Sequence, residues 1–386
     1  MWKAIASNAL TLFIVLLIVL GGFIGWAKAT FDGAGPLAEA SFFEVPRGAS
    51  LRSVSQKLEA QGAVSSAILF RLGVEYSERA EDLKFGNYEI PAGASMAEIL
   101  DILTEGGPST FRFVASYVIR NSGAEMRFRE RTPGTGEEVV LAEFKAGDPL
   151  PEAYAEAVAA DTPIVYRVGV AEGLTSWQIV EALRAADFLE GEIAELPAEG
   201  SLAPDTYEVA RGADRAGILE KMAAAQTDIL ADAWQARAPD LPLSSPEEAL
   251  ILASIVEKET GVADERRQVA SVFTNRLRKG MKLQTDPTVI YGITRGEGSG
   301  LGRGIRQSEL RRETPYNTYV IEGLPPTPIA NPGRKAIEAA LNPDDTPYIF
   351  FVADGTGGHA FSVTIAEHNA NVARWRRIEA ERKANN

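Results

Sequence analysis

P-E-E-A-L-I-L-A-S-I-V-E-K-E-T-G, residues 246–261, reads as an amphipathic helix with a carboxylate on its apolar face. At about 100° per residue, Ile251, Leu252, Ile255 and Val256 share one side. Glu259 follows Val256 by three residues and Ile255 by four, so it projects from the middle of that stripe. Glu257 and Lys258 point to the flanks and the opposite side. The helix is predicted to stop at Thr260 with Gly261 as its cap, which puts Glu259 in the last turn. Burial and the negative end of the helix dipole both disfavour an ionised carboxylate there. A carboxyl that keeps its proton near neutral pH is what general-acid catalysis needs. The competing reading is a structural Glu paired with an arginine from the Arg-rich helix that follows.

Working outward, L-A-S-I-V-E-K-E-T (252–260) is followed by D-E-R-R-Q-V-A-S-V-F-x-N-R-L (264–277) and L-Q-T-D-P-T-V-I-Y-G (283–292). Then come Y-N-T-Y (316–319), G-L-P-P-x-P-I-x-N-P-G (323–333) and Y-I-F-F-V-A-D-G-x-G-G-H-x-F (348–361). In this order the segments resemble the MltG/YceG family of membrane-anchored endolytic murein transglycosylases. The resemblance is strong from about residue 163 to 376 and weaker but continuous before that. It implies that the second Glu of E-K-E, Glu259, is the catalytic acid, the residue that the helical face selects independently. It also implies peptidoglycan glycan strands as substrate, peptidoglycan synthases as partners, and a cut within the strand that terminates its elongation.

The chain has 386 residues, 45% apolar and 24% charged, a globular composition with room for two domains. Its net charge of −14 argues against nucleic acid or an anionic lipid surface as partner, but not against a neutral glycan. The absence of cysteine removes disulfides and thiolate metal sites. With His359 and His368 the only histidines, a His-rich metal centre is excluded, and so is a Ser-His triad unless one of the two serves it. Neither a cofactor nor a metal is expected.

Residues 9–27 form an uncharged apolar run about as long as a bilayer core of ~30 Å requires, and longer than a signal-peptide core of ~7–15 residues. Trp26 and Lys28 suit an interfacial anchor. The resemblance puts everything after residue 28 on the periplasmic side of the inner membrane.

The expected fold class is α+β, with a single N-terminal transmembrane helix, a small LysM-like α+β subdomain and a larger α+β catalytic domain. Residues 1–8 are expected in the cytoplasm, 9–27 in the membrane and 28–40 in a Gly/Pro/Ala linker. F-E-V-P-R-G-A-S-L-R-S-V-S-Q-K-L (43–58) and Y-E-I-P-A-G-A-S-M-A-E-I-L-D-I-L (88–103) repeat a strand, a turn and a Ser-capped helix. A looser copy occupies 165–183. This unit is either a common strand-turn-helix or, as the resemblance implies, the LysM-like module at 41–108. Residues 109–161 read as strands around loops, and the resemblance makes them an inserted β-rich region. Arg127, Arg129 and Arg131 there are expected on a solvated face. Residues 162–386 form the YceG-like catalytic domain. In E-G-x-x-x-P-D-T-Y-E (199–208), Ser201 and Ala203 stand where the family carries bulkier residues. Asp264 is expected to cap a helix over 264–279. Residues 283–292 are expected as a loop entering a short segment, 348–353 as a buried strand, and the C-terminus as a frayed polar helix. Asp354–His359 is Gly-rich but lacks a phosphate-loop lysine.

Glycoside hydrolysis canonically uses two carboxylates. A lytic transglycosylase needs one, because the sugar's C6 hydroxyl attacks the anomeric carbon. Glu259 alone suits that chemistry. Asp286 is either a second acid or a turn-capping Asp. Glu257 either supports Glu259 or is solvated. Gln284, Asn317 and Tyr319 are sugar contacts or structural hydrogen bonds, and His359 lines the cleft or is structural. A muramidase that adds water and a non-catalytic peptidoglycan-binding scaffold are the alternatives.

Overall fold

The computed structural model describes residues 2–106 and 109–385. Met1 in the expected cytoplasmic segment, Gly107 and Pro108 at the end of the expected LysM-like segment, and Asn386 lie outside the described residues. The chain is mixed helix and sheet and divides into two compact units. One holds residues 1–115, 127–142 and 151–165; the other holds 116–126, 143–150 and 166–386.

The first unit begins with α1 (Trp2–Asp32), whose segment Leu10–Asp32 is long and apolar enough to cross a membrane. Then follow β1 (Ser41–Val45), α2 (Leu51–Ala60), α3 (Ala67–Tyr76), β2 (Gly86–Ile90) and α4 (Met96–Glu105). β1 and β2 pair antiparallel with Phe43 opposite Tyr88. Each P-x-G-A-S turn delivers its serine to a helix start. Ser50 accepts from Ser53 N at 3.2 Å, and Ser95 forms a reciprocal capping box with Glu98. Phe43, Val54, Leu58, Phe70, Val74, Ile99 and Leu103 fill the core between them. The expected linker departs from expectation. The helix does not stop at residue 27 but runs to Asp32, because Phe31 stacks on Phe70 at 6.4 Å and rewards helical continuation. Beyond it, Gly35 N donates to Gly93 O at 3.0 Å and Gly93 N to Leu37 O at 2.8 Å, so residues 28–40 are docked rather than free.

The expected insertion supplies β3 (Phe113–Arg120), β4 (Gly123–Arg131) and β5 (Glu138–Lys145), then α5 (Glu152–Ala159). With β6 (Ile164–Val170) and β8 (Thr206–Val209) these strands make one five-stranded sheet, ordered β5-β4-β3-β6-β8. The region is therefore part of a sheet and not a hairpin standing apart. Of the three arginines read as a solvated face, only Arg127 is exposed. Arg129 and Arg131 are half-buried and reach Glu138 at 2.8 and 3.0 Å.

α6 (Ser176–Ala185) completes the third strand-turn-helix unit, capped by Thr175 with Gln178 in a capping box. The small strands β7 (Leu189–Glu190) and β9 (Ala213–Asp214), which precede and follow β8 in the chain, pair in parallel as a separate two-stranded sheet. Then come α7 (Arg215–Gln235), α8 (Pro246–Glu259), α9 (Arg266–Arg278), α10 (Asp286–Thr294), α11 (Gln307–Leu310), α12 (Arg334–Leu341), β10 (Phe350–Ala353), β11 (His359–Ser362) and α13 (Ile365–Asn385). α8 packs against α7, α9 and α12, and its Leu252, Ala253, Ile255 and Val256 are fully buried.

Three expectations are corrected in this unit. Asp264 does not cap α9: residues Ala263–Glu265 form a 3₁₀ turn, Glu265 takes the cap position, and its carboxylate is drawn to His359. Residues 286–294 are a helix, because Pro287 in its first turn lacks only a donor that would be orphaned anyway. The segment 348–353 is not a buried strand: its strand part, β10, is half-buried and pairs with β11 as a two-stranded ribbon. The C-terminal polar helix is α13, and Phe350 stacks on His368 near its start at 5.1 Å.

Candidate active site

Ser245 caps the start of α8, accepting from Glu248 N at 3.3 Å, and Pro246 occupies the first turn. The helix ends at Glu259. Thr260 is the cap, with extended backbone (φ −138°, ψ 128°), and its hydroxyl accepts from Val262 N at 3.0 Å. Gly261 plays no left-handed capping part. Three consecutive side chains leave this turn for three places. Glu257 accepts from Gly333 N at 3.1 Å, Lys258 donates to Gly173 O at 3.0 Å, and Glu259 accepts from the Thr285 hydroxyl.

Glu259 keeps intermediate surface exposure, yet loss of hydration outweighs everything else acting on its carboxyl and pushes its pKa up. The Thr285 hydrogen bond pulls the other way. The charge of Asp286 adds to the rise, while His359 and Arg276 oppose it. Glu257 is raised too, first by burial, but it faces Gly333 and Glu172.

The Thr285–Asp286 turn is fixed from beneath. Thr285 N donates to Thr318 Oγ1 at 3.0 Å, Thr288 Oγ1 donates to Thr285 O at 2.8 Å, and Gln284 N donates to Thr318 O at 3.1 Å. Gln284 holds a left-handed backbone (φ 48°) and an exposed side chain, a strained arrangement for a residue other than glycine. Asp286 is exposed and accepts from the Tyr319 hydroxyl at 2.7 Å, and burial raises the Tyr319 pKa. On β11, His359 Nδ1 lies 2.7 Å from Glu265 Oε2, with the ring edge-on to Phe351 at 5.3 Å.

The fold thus gathers Glu259, Asp286, Tyr319 and His359 around one carboxyl, with Gln284 on the rim. Glu257 lies on another side of the helix. Asn317 is buried, and its amide is spent on the chain. Its Nδ2 donates to the carbonyls of Glu309, Leu310 and Arg312, and its Oδ1 accepts from Tyr319 N. That makes it the residue that shapes the loop carrying Tyr319.

Three groups were not singled out by sequence. Thr285 holds the acid. Arg276, buried, donates to Ile349 O at 2.7 Å and Leu283 O at 2.6 Å, and its charge reaches Glu259. Glu199, from the E-G-x-x-x-P-D-T-Y-E segment, is a second acid whose pKa burial raises. It accepts from Ser176 N at 2.8 Å and Asn331 Nδ2 at 3.2 Å, and also bonds Tyr291. Its motif was the available signal. Ser201, half-buried, donates to Ala198 O at 2.7 Å, and Ala203 is buried. A cleft of about 230 Å³ passes Thr175, Gln178, Lys258, Pro287, Tyr291 and Gly296. Pro287, Ile290, Tyr291 and Thr294 of α10 form one of its walls.

The YceG-like family matches this chain over residues 43–154 and 142–374. An endolytic murein transglycosylase of Bacillus subtilis (strain 168) is 26% identical over 359 residues, which cover 91% of this chain and 89% of that protein. An endolytic murein transglycosylase of Streptococcus pneumoniae serotype 2 (strain D39 / NCTC 7466) is 26% identical over 390 residues, covering 94% of this chain, which spans 64% of that relative's length. The 2.6 Å crystal structure of a yceG-like protein from Listeria monocytogenes shares 26% identity, with 86% of this chain and 98% of that one covered, at a TM-score of 0.43. Matched from residue 43 to residue 374, this chain belongs to the YceG-like family.

Proposed function

We propose that this chain is a membrane-anchored endolytic lytic transglycosylase of peptidoglycan, with Glu259 as its acid and base. The observation that carries the reading is a carboxyl with a raised pKa, held by Thr285, beside an Asp286 already engaged by Tyr319. The two curated relatives bear the name of that activity, which supports the same reading.

In this mechanism Glu259 gives its proton to the glycosidic oxygen between N-acetylmuramic acid and N-acetylglucosamine. The C1–O4 bond breaks and the N-acetylglucosamine departs as an alcohol. The C6 hydroxyl of the same muramic acid attacks C1, forming C1–O6. Its proton returns to Glu259, which ends as it began, and no water is consumed. Arg276 supplies positive potential for the moment when Glu259 is ionised. Gln284, Tyr319 and the cleft along α10 are the proposed sugar contacts. The membrane helix sets the catalytic unit on the periplasmic side, near synthases whose growing strands it terminates.

Digestion of glycan strands in heavy-oxygen water tests the reading by mass spectrometry. Unlabelled 1,6-anhydro-N-acetylmuramic acid ends are expected. Labelled reducing ends would make the protein a muramidase and promote Asp286 to a second carboxylate, and absence of any cut would leave a binding scaffold.

A further inference from the structure

α3 carries apolar residues on two faces, one packed in the core of the unit and one largely exposed. Leu69, Phe70 and Val74 are buried in the core. Ile68, Leu72 and Tyr76, spaced by four residues and therefore on one side, are 64%, 49% and 92% exposed. Scattered exposed apolar residues need no account, but a row of three on one helix does.

The neighbour of this row is the end of α1. Phe31 stacks on Phe70 at 6.4 Å, and a Cβ at Gly73 would collide with the Phe31 ring, so α3 crosses α1 at close range. Between them runs an open, largely apolar cleft of about 720 Å³. Its α1 wall is Phe23, Ile24, Ala27 and Phe31, and its α3 wall includes Leu69, Leu72 and Tyr76. Lys28, Asp32 and Glu75 line it as well.

Depth decides what fills this cleft. On the reading that residues 9–27 span the bilayer, Phe31 stands about 6 Å beyond the apolar run, at 1.5 Å per residue. Phe23 and Ile24 lie about one turn inside it. A cleft walled by those two residues opens at the boundary between acyl chains and headgroups, where tyrosine and tryptophan are favoured. Trp26 is 59% exposed at the same level. Water is a poor occupant of an apolar groove at that depth. Amphipathic helices with an apolar face of this kind lie in the interface plane. The attraction is apolar and does not need the positive charge that this chain lacks.

We propose that α3 is a second, in-plane membrane contact. In it the Ile68–Leu72–Tyr76 face enters the outer-leaflet interface, and lipid acyl chains fill the cleft between α1 and α3. This rests on the reading of α1 as a membrane span. The first unit is then seated on the bilayer by two elements.

Because the chain has no cysteine, single substitutions report one site each. The full chain carrying Val19→Cys, Leu72→Cys, Tyr76→Cys or Leu196→Cys is labelled with a fluorophore. Each variant is reconstituted in phosphatidylethanolamine/phosphatidylglycerol vesicles containing lipid-borne nitroxides at shallow or deep positions. All four residues are surface-exposed, Leu196 at 54%, so labelling leaves the core untouched. Shallow nitroxides should quench labels at 72 and 76 several-fold more than at 196, and deep nitroxides should quench the label at 19. If 19 is quenched while 72 and 76 behave like 196, α3 lies in water and the proposal falls with the span intact. If 19 is not quenched, the span and the proposal fall together.

Discussion

Tyr319 donates its hydroxyl to Oδ1 of Asp286 at 2.7 Å, while the preceding residue, Thr285, gives its own hydroxyl to Glu259. Of two adjacent residues at the start of α10, Thr285 thus donates to one carboxyl and Asp286 carries the other. The exposed one is satisfied by a phenol. The poorly hydrated one receives a single hydroxyl and keeps a raised pKa. This division separates an acid able to hold a proton from a carboxylate engaged elsewhere.

Glu259→Gln keeps the shape and removes the transferable proton. Glycan cleavage is expected to fall by about 10²–10⁴-fold, the usual contribution of a positioned general acid. Glu257→Gln keeps an oxygen that can accept from Gly333 N, loses only the charge, and is expected to fall far less. Initial rates on purified strands decide, and equal losses would remove the distinction drawn between these residues.

The same substitution is expected to stabilise the fold. A carboxyl whose folded pKa lies above its unfolded pKa makes the native state bind more protons between the two values, so its ionisation weakens the fold as pH rises through the folded value. Thermal melting at pH 8 should show a higher midpoint for Glu259→Gln, and the gain should vanish below the unfolded carboxyl pKa. A lower midpoint at pH 8 would mean that the ionised form is the one the site favours. Active sites often hold this kind of trade between stability and activity.

Thr285→Val tests the hydrogen bond through the pH profile. That bond lowers the Glu259 pKa against the burial that raises it. A general acid works below its pKa and fails as pH climbs through it, so loss of the bond should carry the alkaline limb of kcat/KM to higher pH. An unmoved limb, whatever the absolute rate, would show that Thr285 does not act on the proton of Glu259.

Gly73→Ala should loosen the seat of α1 on α3, because the added methyl meets the Phe31 ring. Overpacking of this kind costs about 1–3 kcal/mol. The expected readout is a lower unfolding midpoint for the detergent-solubilised chain, with Phe31→Ala giving a comparable fall. Unchanged midpoints would mean that the end of α1 is a free tether.

The placement of the Glu259 carboxyl was legible in the sequence because helical period is a local property: Ile251, Leu252, Ile255 and Val256 fix the face on which Glu259 falls without reference to anything distant. The Ser-capped strand-turn-helix units were legible for the same reason. α10 was hidden because Asp-Pro-Thr opens a turn and a helix with equal ease, and only the packing of Val289 and Thr288 chooses the helix. The role of Asn317 depends on three carbonyls that α11 and the residues just after it bring back to it, which no periodicity encodes. Arg276 sits among several arginines of α9 and is distinguished only by the arrival of Ile349 and Leu283 carbonyls from elsewhere in the chain.

The last turn of α8 also sets a rule about chain length. One residue inserted or removed there swings everything beyond it by about 100°. With one residue inserted before Glu257, Glu257 would take the direction of Lys258 and the Lys258 ammonium would stand where the Glu259 carboxyl meets Thr285; with one removed, the Glu259 carboxyl would turn toward Gly173. No change of side-chain chemistry would be involved, only a change of count. The stretch from Ser245 to Thr260 therefore behaves like a key whose teeth are cut at fixed spacing, able to accept substitutions along its shaft but not a longer or shorter blade.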